Sequence, residues 1–265
     1  MIFRELPVPE AARAAAACVW RFALEAHDPS QLEHIVPPDG ATNILVVRTP
    51  DGQVFARLIG PAVTARRVPA AKGWGYAGLR LRPEAAEAVT GRRPDPALSE
   101  PLAIDGPFRS MIADLATLAA DQWSGGPAIA AALSGVAGPD RASADAVDML
   151  AASGGTTPIS DLAIAAGLGG RQFRRRFRAA TGLTAKQYAA IQRIRRALLL
   201  SFESVDWAGV ASEAGFADQP HLVRDVTGRF GAAPTLVRGY LGGIHHELLT
   251  PAGVRFVQDT AHRAG

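Results

Sequence analysis

The residues best equipped for chemistry lie between 159 and 196, and their chemistry is polyanion binding rather than bond making. Arg171, Arg174, Arg175, Arg176 and Arg178 crowd one short stretch, followed by Lys186, Arg193, Arg195 and Arg196. No Asp or Glu occurs between Asp161 and Glu203. Phe173 and Phe177 stand four apart and therefore share one helical face. A helix that buries both rings turns an unneutralised arginine surface outward, where phosphates would be its natural partner. Just upstream, Ile159, Leu162, Ala163 and Ala166 pattern a shorter helix that runs into Gly167-Leu168-Gly169-Gly170. Helix, glycine turn and basic helix, in that order, predict a helix-turn-helix whose second helix enters the DNA major groove.

In that geometry Arg171 and Gln172 face base edges, a fitting pair because Arg reads guanine and Gln reads adenine bidentately. Arg174 and Arg175 project towards DNA, Arg178 reaches a phosphate, and Arg176 lies along the surface on its aliphatic stem. The plainer alternative is a solvated arginine face, and the absence of neighbouring acids argues against it. For Arg193 and Arg196 two roles stand open: contact with the DNA backbone, or a structural salt bridge to Asp206 or Glu213.

The pattern recurs downstream. Ala163 and Gly167, Phe173 and Phe177, and a closing Gly182 are matched by Ala211 and Gly215, Leu222 and Val226, and Gly231, with one extra residue in the second turn. Between the copies, Tyr188, Ile191, Ile194, Leu198 and Leu199 mark a long connecting helix over 185–202. In the second unit Asp218 is placed to cap the recognition helix and Pro220 to open it. Gln219, His221 and Arg224 are its contact candidates, and Val223 is placed to touch a thymine methyl. Asp225 is expected to oppose phosphate approach. Unit one should therefore supply most of the affinity and unit two selectivity.

The elements that position these units read as an α+β chain. Short alternating segments at 18–26, 34–36, 43–48, 54–59, 62–68 and 74–82, split by Pro/Gly turns, predict a small β-sandwich or barrel-like domain. Residues 9–17 and 84–90 read as short helices. Phe108, Met111, Ile112, Leu115 and Leu118 space an amphipathic helix over 107–123, suited to dimerisation or to packing within its own domain. The expected division is 1–105 for a β-rich regulatory domain, 106–142 for a helical linker and dimerisation element, 143–242 for the tandem helix-turn-helix domain, and 243–265 for a C-terminal tail. Trp20, Trp74 and Tyr76 are candidates for an effector pocket, against the ordinary reading of sheet core.

Other classes of function find little support. With 48% hydrophobic and 20% charged residues the composition is globular, and a formal net charge of only +3 makes the basicity local. Cys18 is the only cysteine, so neither an internal disulfide nor a thiolate zinc site can form. His27, His34 and His221 lack metal-ligand spacing, and His245-His246 lies near an end. No nucleophile elbow, phosphate-binding loop or paired-His helix motif occurs. No cofactor, metal or catalytic residue is expected. Without a signal-peptide pattern or a membrane-length apolar run, a soluble cytoplasmic protein is expected, with no membrane partner.

Taken together, the repeat resembles the DNA-binding domain of AraC/XylS-type transcriptional regulators. The resemblance runs through Ile159, Leu162-Ala163, Gly167, Phe173, Arg175, Phe177, Gly182, Tyr188, Arg193, Ala197 and Leu200. It continues through Ala211, Gly215-Phe216, Asp218-Gln219, Leu222, Arg224, Gly231, Pro234 and Arg238. Residues 38–40, 60–61 and 78–83 resemble the β-rich regulatory domains of one subgroup. Ala185, Arg176 and Val226 depart from the usual proline, apolar residue and phenylalanine. The resemblance implies double-stranded DNA as partner, a regulatory domain that binds a small effector or forms a homodimer, and RNA polymerase contact in an activator. Alkyl-transfer repair regulators share this kind of domain, but a solitary Cys18 cannot supply their metal-held acceptor. The competing reading is a module whose basic helices dock an acidic protein.

Overall fold

The computed structural model describes residues 1–136, 138 and 140–244; most of the expected tail, with His245-His246, lies outside them. The first part of the chain forms eight strands: β1 (Ile2–Leu6), β2 (Ala16–Ala23), β3 (Gln31–Val36), β4 (Asn43–Arg48), β5 (Val54–Ile59), β6 (Arg66–Ala71), β7 (Gly75–Leu81) and β8 (Ser99–Pro101). They pair antiparallel as a six-stranded sheet, ordered β1-β2-β7-β4-β5-β8, and a two-stranded ribbon of β3 and β6.

Period-two alternation decides the two faces of the large sheet. Val19, Ile44, Val46, Ala56, Leu58, Ala77 and Leu79 point to one face and are all buried. After the short helix α1 (Ala86–Thr90), the amphipathic helix α2 (Arg109–Ala119) lays Met111, Ile112, Leu115 and Leu118 onto that face. Its apolar stripe is thus spent inside its own domain, which is where one of the two expectations placed it. The following helix α3 (Pro127–Leu133) is held by Asp114, whose carboxylate accepts from the Ala128 and Ile129 N–H groups at 2.8 and 2.9 Å. Trp20, Phe22, Leu45, Val47, Phe55 and Tyr76 share the opposite face, which the ribbon partly covers through Phe22 stacked on His34 at 4.0 Å.

Some local expectations shift. Residues 9–17 hold only a single 3-10 turn, Glu10–Ala12, because Ala16 already pairs with Leu81 in the sheet. The strand expected at 62–68 begins at Arg66, since residues 62–65 are drawn away to the helical half, where Ala65 N–H donates to the Arg229 carbonyl at 2.8 Å. The edge strands β1 and β8 have no alternating pattern long enough to stand out.

From residue 141 the chain is helical: α4 (Arg141–Ala152), α5 (Ile159–Ala165), α6 (Gly170–Thr181), α7 (Ala185–Glu203), α8 (Trp207–Glu213), α9 (Gln219–Phe230) and α10 (Pro234–Gly242). A capping box of Thr184 and Gln187 starts α7, which gives each helix-turn-helix unit one flank to pack on. One core joins Leu162, Phe173, Phe177, Leu183, Tyr188 and Ile191 to α4. The other joins Ile194, Leu198, Ala211, Leu222, Val226, Phe230 and Leu241, and it continues into Phe3 and Phe22 of the sheet.

The two halves are stitched at several points. Buried Arg195 donates to the Pro38 carbonyl at 3.3 Å, beside an Arg80 paired with Glu5 and Asp39. The Tyr240 hydroxyl lies 2.8 Å from His34 Nδ1 and accepts from the Ile35 N–H at 3.1 Å. Arg229 donates to the Val63 carbonyl at 2.7 Å.

Candidate nucleic-acid interface

Unit one is α5, a turn over 166–169, and α6. The turn reverses at Gly167, whose φ of +63° is left-handed backbone that glycine adopts without a Cβ clash, and Leu168 N–H returns to the Ala163 carbonyl at 3.0 Å. In α6, Phe173 and Phe177 are 1% and 0% exposed and lie 5.8 Å apart, with Tyr188 of α7 edge-on to Phe177. Fixing those two rings inward fixes what faces out: Arg171, Gln172, Arg174, Arg175, Arg176 and Arg178 are all exposed.

Their electrostatics divide them. Arg176 pairs with Asp140, its Nε 2.8 Å from the carboxylate that also caps α4. That contact lays its stem along the surface and ties α6 to α4. Arg171, Arg174, Arg175 and Arg178 have no ion pair or side-chain hydrogen bond among the described residues. Like charges at i, i+3 and i+4 oppose the helix by a few tenths of a kcal/mol each. The buried phenylalanines hold the helix against this repulsion, and a polyanion would relieve it.

Unit two is α8, a turn over 214–218 and α9, and the turn carries the extra residue that the spacing predicts. Gly215 reverses the chain at φ +81°, and Asp218 caps α9 by accepting from the His221 N–H at 2.6 Å. Leu222 and Val226 are fully buried, and Phe230 continues the same stripe one turn on. Phe230 thus restores the aromatic anchor that Val226 lacks, a residue the reading by matched pairs overlooked. Gln219 and Arg224 are exposed and Val223 and His221 half-buried. His221 sets its ring edge-on to Phe216 at 5.2 Å and accepts from the Ala217 N–H at 3.4 Å through Nδ1. Asp225 does not stand free against phosphate, because it pairs with Arg229 one turn later at 3.3 Å.

Neither Arg193 nor Arg196 pairs with Asp206 or Glu213. Arg193 is half-buried with its guanidinium over the Phe216 ring at 5.8 Å, and Arg196 donates to the Ser153 carbonyl at 3.4 Å. Asp206 instead caps α8 by accepting from the Ala208 N–H at 3.0 Å.

In the β-rich half, Trp20 lies over Gly78, where a Cβ would come within 2.3 Å of the ring, and its Nε1 donates to Asn43 at 3.2 Å. Tyr76 on the same face accepts from the Ala71 N–H at 3.2 Å. Trp74 sits in the turn before β7 and is 36% exposed. These three do not meet around a described cavity. A cavity of about 40 Å³ lies between the halves beside Arg80, Tyr188, Gln192 and Arg195, and a groove of about 450 Å³ runs beside Leu58, Leu102 and Phe108. Cys18 is buried against Arg80, and burial pushes its thiol pKa up. Glu25, His27 and Asp28 cluster, but Glu25 and Asp28 hold the Met1 amino group. No helix among the described residues is long and apolar enough to cross a membrane.

The chain matches no curated protein sequence. Among solved structures it is similar to ToxT from Vibrio cholerae, with a TM-score of 0.47 at 9% identity over 90% of this chain and 98% of that one. A second ToxT structure, from strain O395, gives 0.46 at 10% identity over 85% and 97%. A third holds a naphthalenyl butenoic acid, with a TM-score of 0.47 at 8% identity over 84% and 97%. That distance is too great to transfer residues or ligands. The family model described as a helix-turn-helix domain matches residues 162–239, which take in most of α5, all of α6 to α9 and the start of α10. Residues 162–239 are therefore an AraC-type helix-turn-helix domain, the DNA-binding module of AraC-type transcription regulators.

Proposed function

We propose that the chain is a sequence-specific regulator that reads double-stranded DNA in two successive major grooves, with α6 and α9 as recognition helices. One observation carries this reading: α6 is pinned by two buried phenylalanines and turns out four arginines that have no acidic partner among the described residues. Arg171 and Gln172 open the helix and face bases, while Arg174, Arg175 and Arg178 follow the groove and its phosphates. Gln219, His221 and Arg224 do the same work on α9. Arg193 serves this interface from behind by packing on Phe216. Two helices held by one connector meet grooves about 34 Å apart on one DNA face, and bending the duplex lets both seat.

Binding sites selected from random duplex DNA, then measured by filter binding, test this reading. Arg174→Ala should cost more affinity than Arg224→Ala and should flatten the salt dependence by about one unit of slope. The reverse order would remove unit one from its leading role, and no preference for any duplex would remove the function.

A further inference from the structure

His221 is the third residue of α9, at the end of the helix that enters the groove, and three contacts pin it. The Asp218 carboxylate accepts its backbone N–H at 2.6 Å. Its ring stands edge-on to Phe216 at 5.2 Å, and Phe216 is itself held under the Arg193 guanidinium. The Ala217 N–H donates to its Nδ1 at 3.4 Å. An Nδ1 that accepts a hydrogen bond cannot carry a proton, so the neutral ring carries its proton on Nε2. Nε2 has no partner among the described residues.

We propose that His221 is a donor-only base reader, offering Nε2–H to the N7 of a purine in the half-site of unit two. A lone donor is matched by an acceptor and repelled by the exocyclic amines of cytosine and adenine. Of the major-groove acceptors, N7 is common to adenine and guanine, and among the pyrimidines only thymine O4 accepts, so His221 excludes cytosine at one position of one strand. This deepens the proposed role of unit two and rests on it.

The test uses the full chain and its selected duplex. Nitrogen-15 shifts of the labelled imidazole should show Nδ1 unprotonated and Nε2 protonated in the free protein. Replacing purines of the second half-site one at a time with 7-deaza analogues removes N7 and leaves base pairing intact. One such replacement should weaken the wild type about fivefold, the worth of a single hydrogen bond, and leave His221→Ala unaffected. Three results would overturn the proposal: the opposite tautomer, no sensitive purine, or a loss in His221→Ala that is uniform across sequences and lowers the salt slope, as a phosphate contact would. Protection of only one half-site by the wild type would instead overturn the two-unit reading on which it rests.

Discussion

Acidification from pH 7 to pH 4 should unfasten the helical half from the β-ribbon at His34. This ring is 4% exposed, stacked on Phe22 at 4.0 Å, with Nδ1 2.8 Å from the Tyr240 hydroxyl. The Ile35 N–H donates to the same hydroxyl oxygen, which leaves the Tyr240 proton to point at His34. Burial pushes the His34 pKa down to about 4 from its ordinary 6.5. The folded chain thus keeps a neutral ring where the unfolded chain would take up a proton. Stability from this residue is whole above pH 6.5, declines as the pH falls through the interval, and is lost once the pH passes below about 4. A displacement of that size, at about 1.4 kcal/mol per pH unit, corresponds to about 3 kcal/mol. Urea unfolding followed by tryptophan fluorescence at pH 7, 5.5 and 4.5 gives the total pH dependence, carboxylates included. His34→Gln removes the imidazole and keeps an acceptor for Tyr240, so its stability should fall less steeply, and the two curves should converge by about 2 kcal/mol between pH 7 and pH 4.5. Parallel curves would refute the argument, because they would mean that His34 titrates alike in both states.

Three further substitutions test how α6 and α9 end and begin. Gly182 and Gly231 close α6 and α9 in the same left-handed conformation, so alanine at either should cost about 1–2 kcal/mol for the backbone alone. A Cβ at Gly231 meets nothing within 4 Å, whereas one at Gly182 would lie 2.4 Å from the Pro94 carbonyl oxygen. Thermal melting should therefore place Gly182→Ala clearly below Gly231→Ala, and equal melting temperatures would deny that Pro94 packs on the end of α6. Asp218→Ala removes the cap of α9 and should cost about 1 kcal/mol in chemical unfolding. A stability unchanged within a few tenths of that value would mean the cap is made by another group.

Much of the framework of the candidate interface was legible because its determinants are local. The four-residue spacing of Phe173 and Phe177, the reversing glycines and the cap at Asp218 act within one or two helical turns. What the sequence withheld depends on distant partners. Nothing near 62–65 tells that these residues leave the sheet to meet Arg229, and β1 and β8 gain their structure only from neighbours in the sheet. The resting place of Arg193 on Phe216 likewise emerges only when α7 meets the turn of unit two, whereas the pairing of Asp225 with Arg229 lies within one turn of α9 and follows from their i, i+4 spacing.

The arginine run shows how such charges can be sorted. Arg195 and Arg196 are adjacent and chemically identical, yet Arg195 is 3% exposed and faces the Pro38 carbonyl between the halves. Its position follows from the period of α7: it lies four residues after Ile191 and three before Leu198, on the stripe that both bury. The same rule frees Arg174, Arg175 and Arg178, which fall off the stripe of Phe173 and Phe177. Arg176 also falls off it, and its pairing with Asp140, the cap of α4, neutralises it. A basic run is therefore open to a polyanion only where it leaves the apolar period of its own helix and no acid from another element reaches it. By both criteria the proposed DNA surface is α6 first, with the start of α9 beside it.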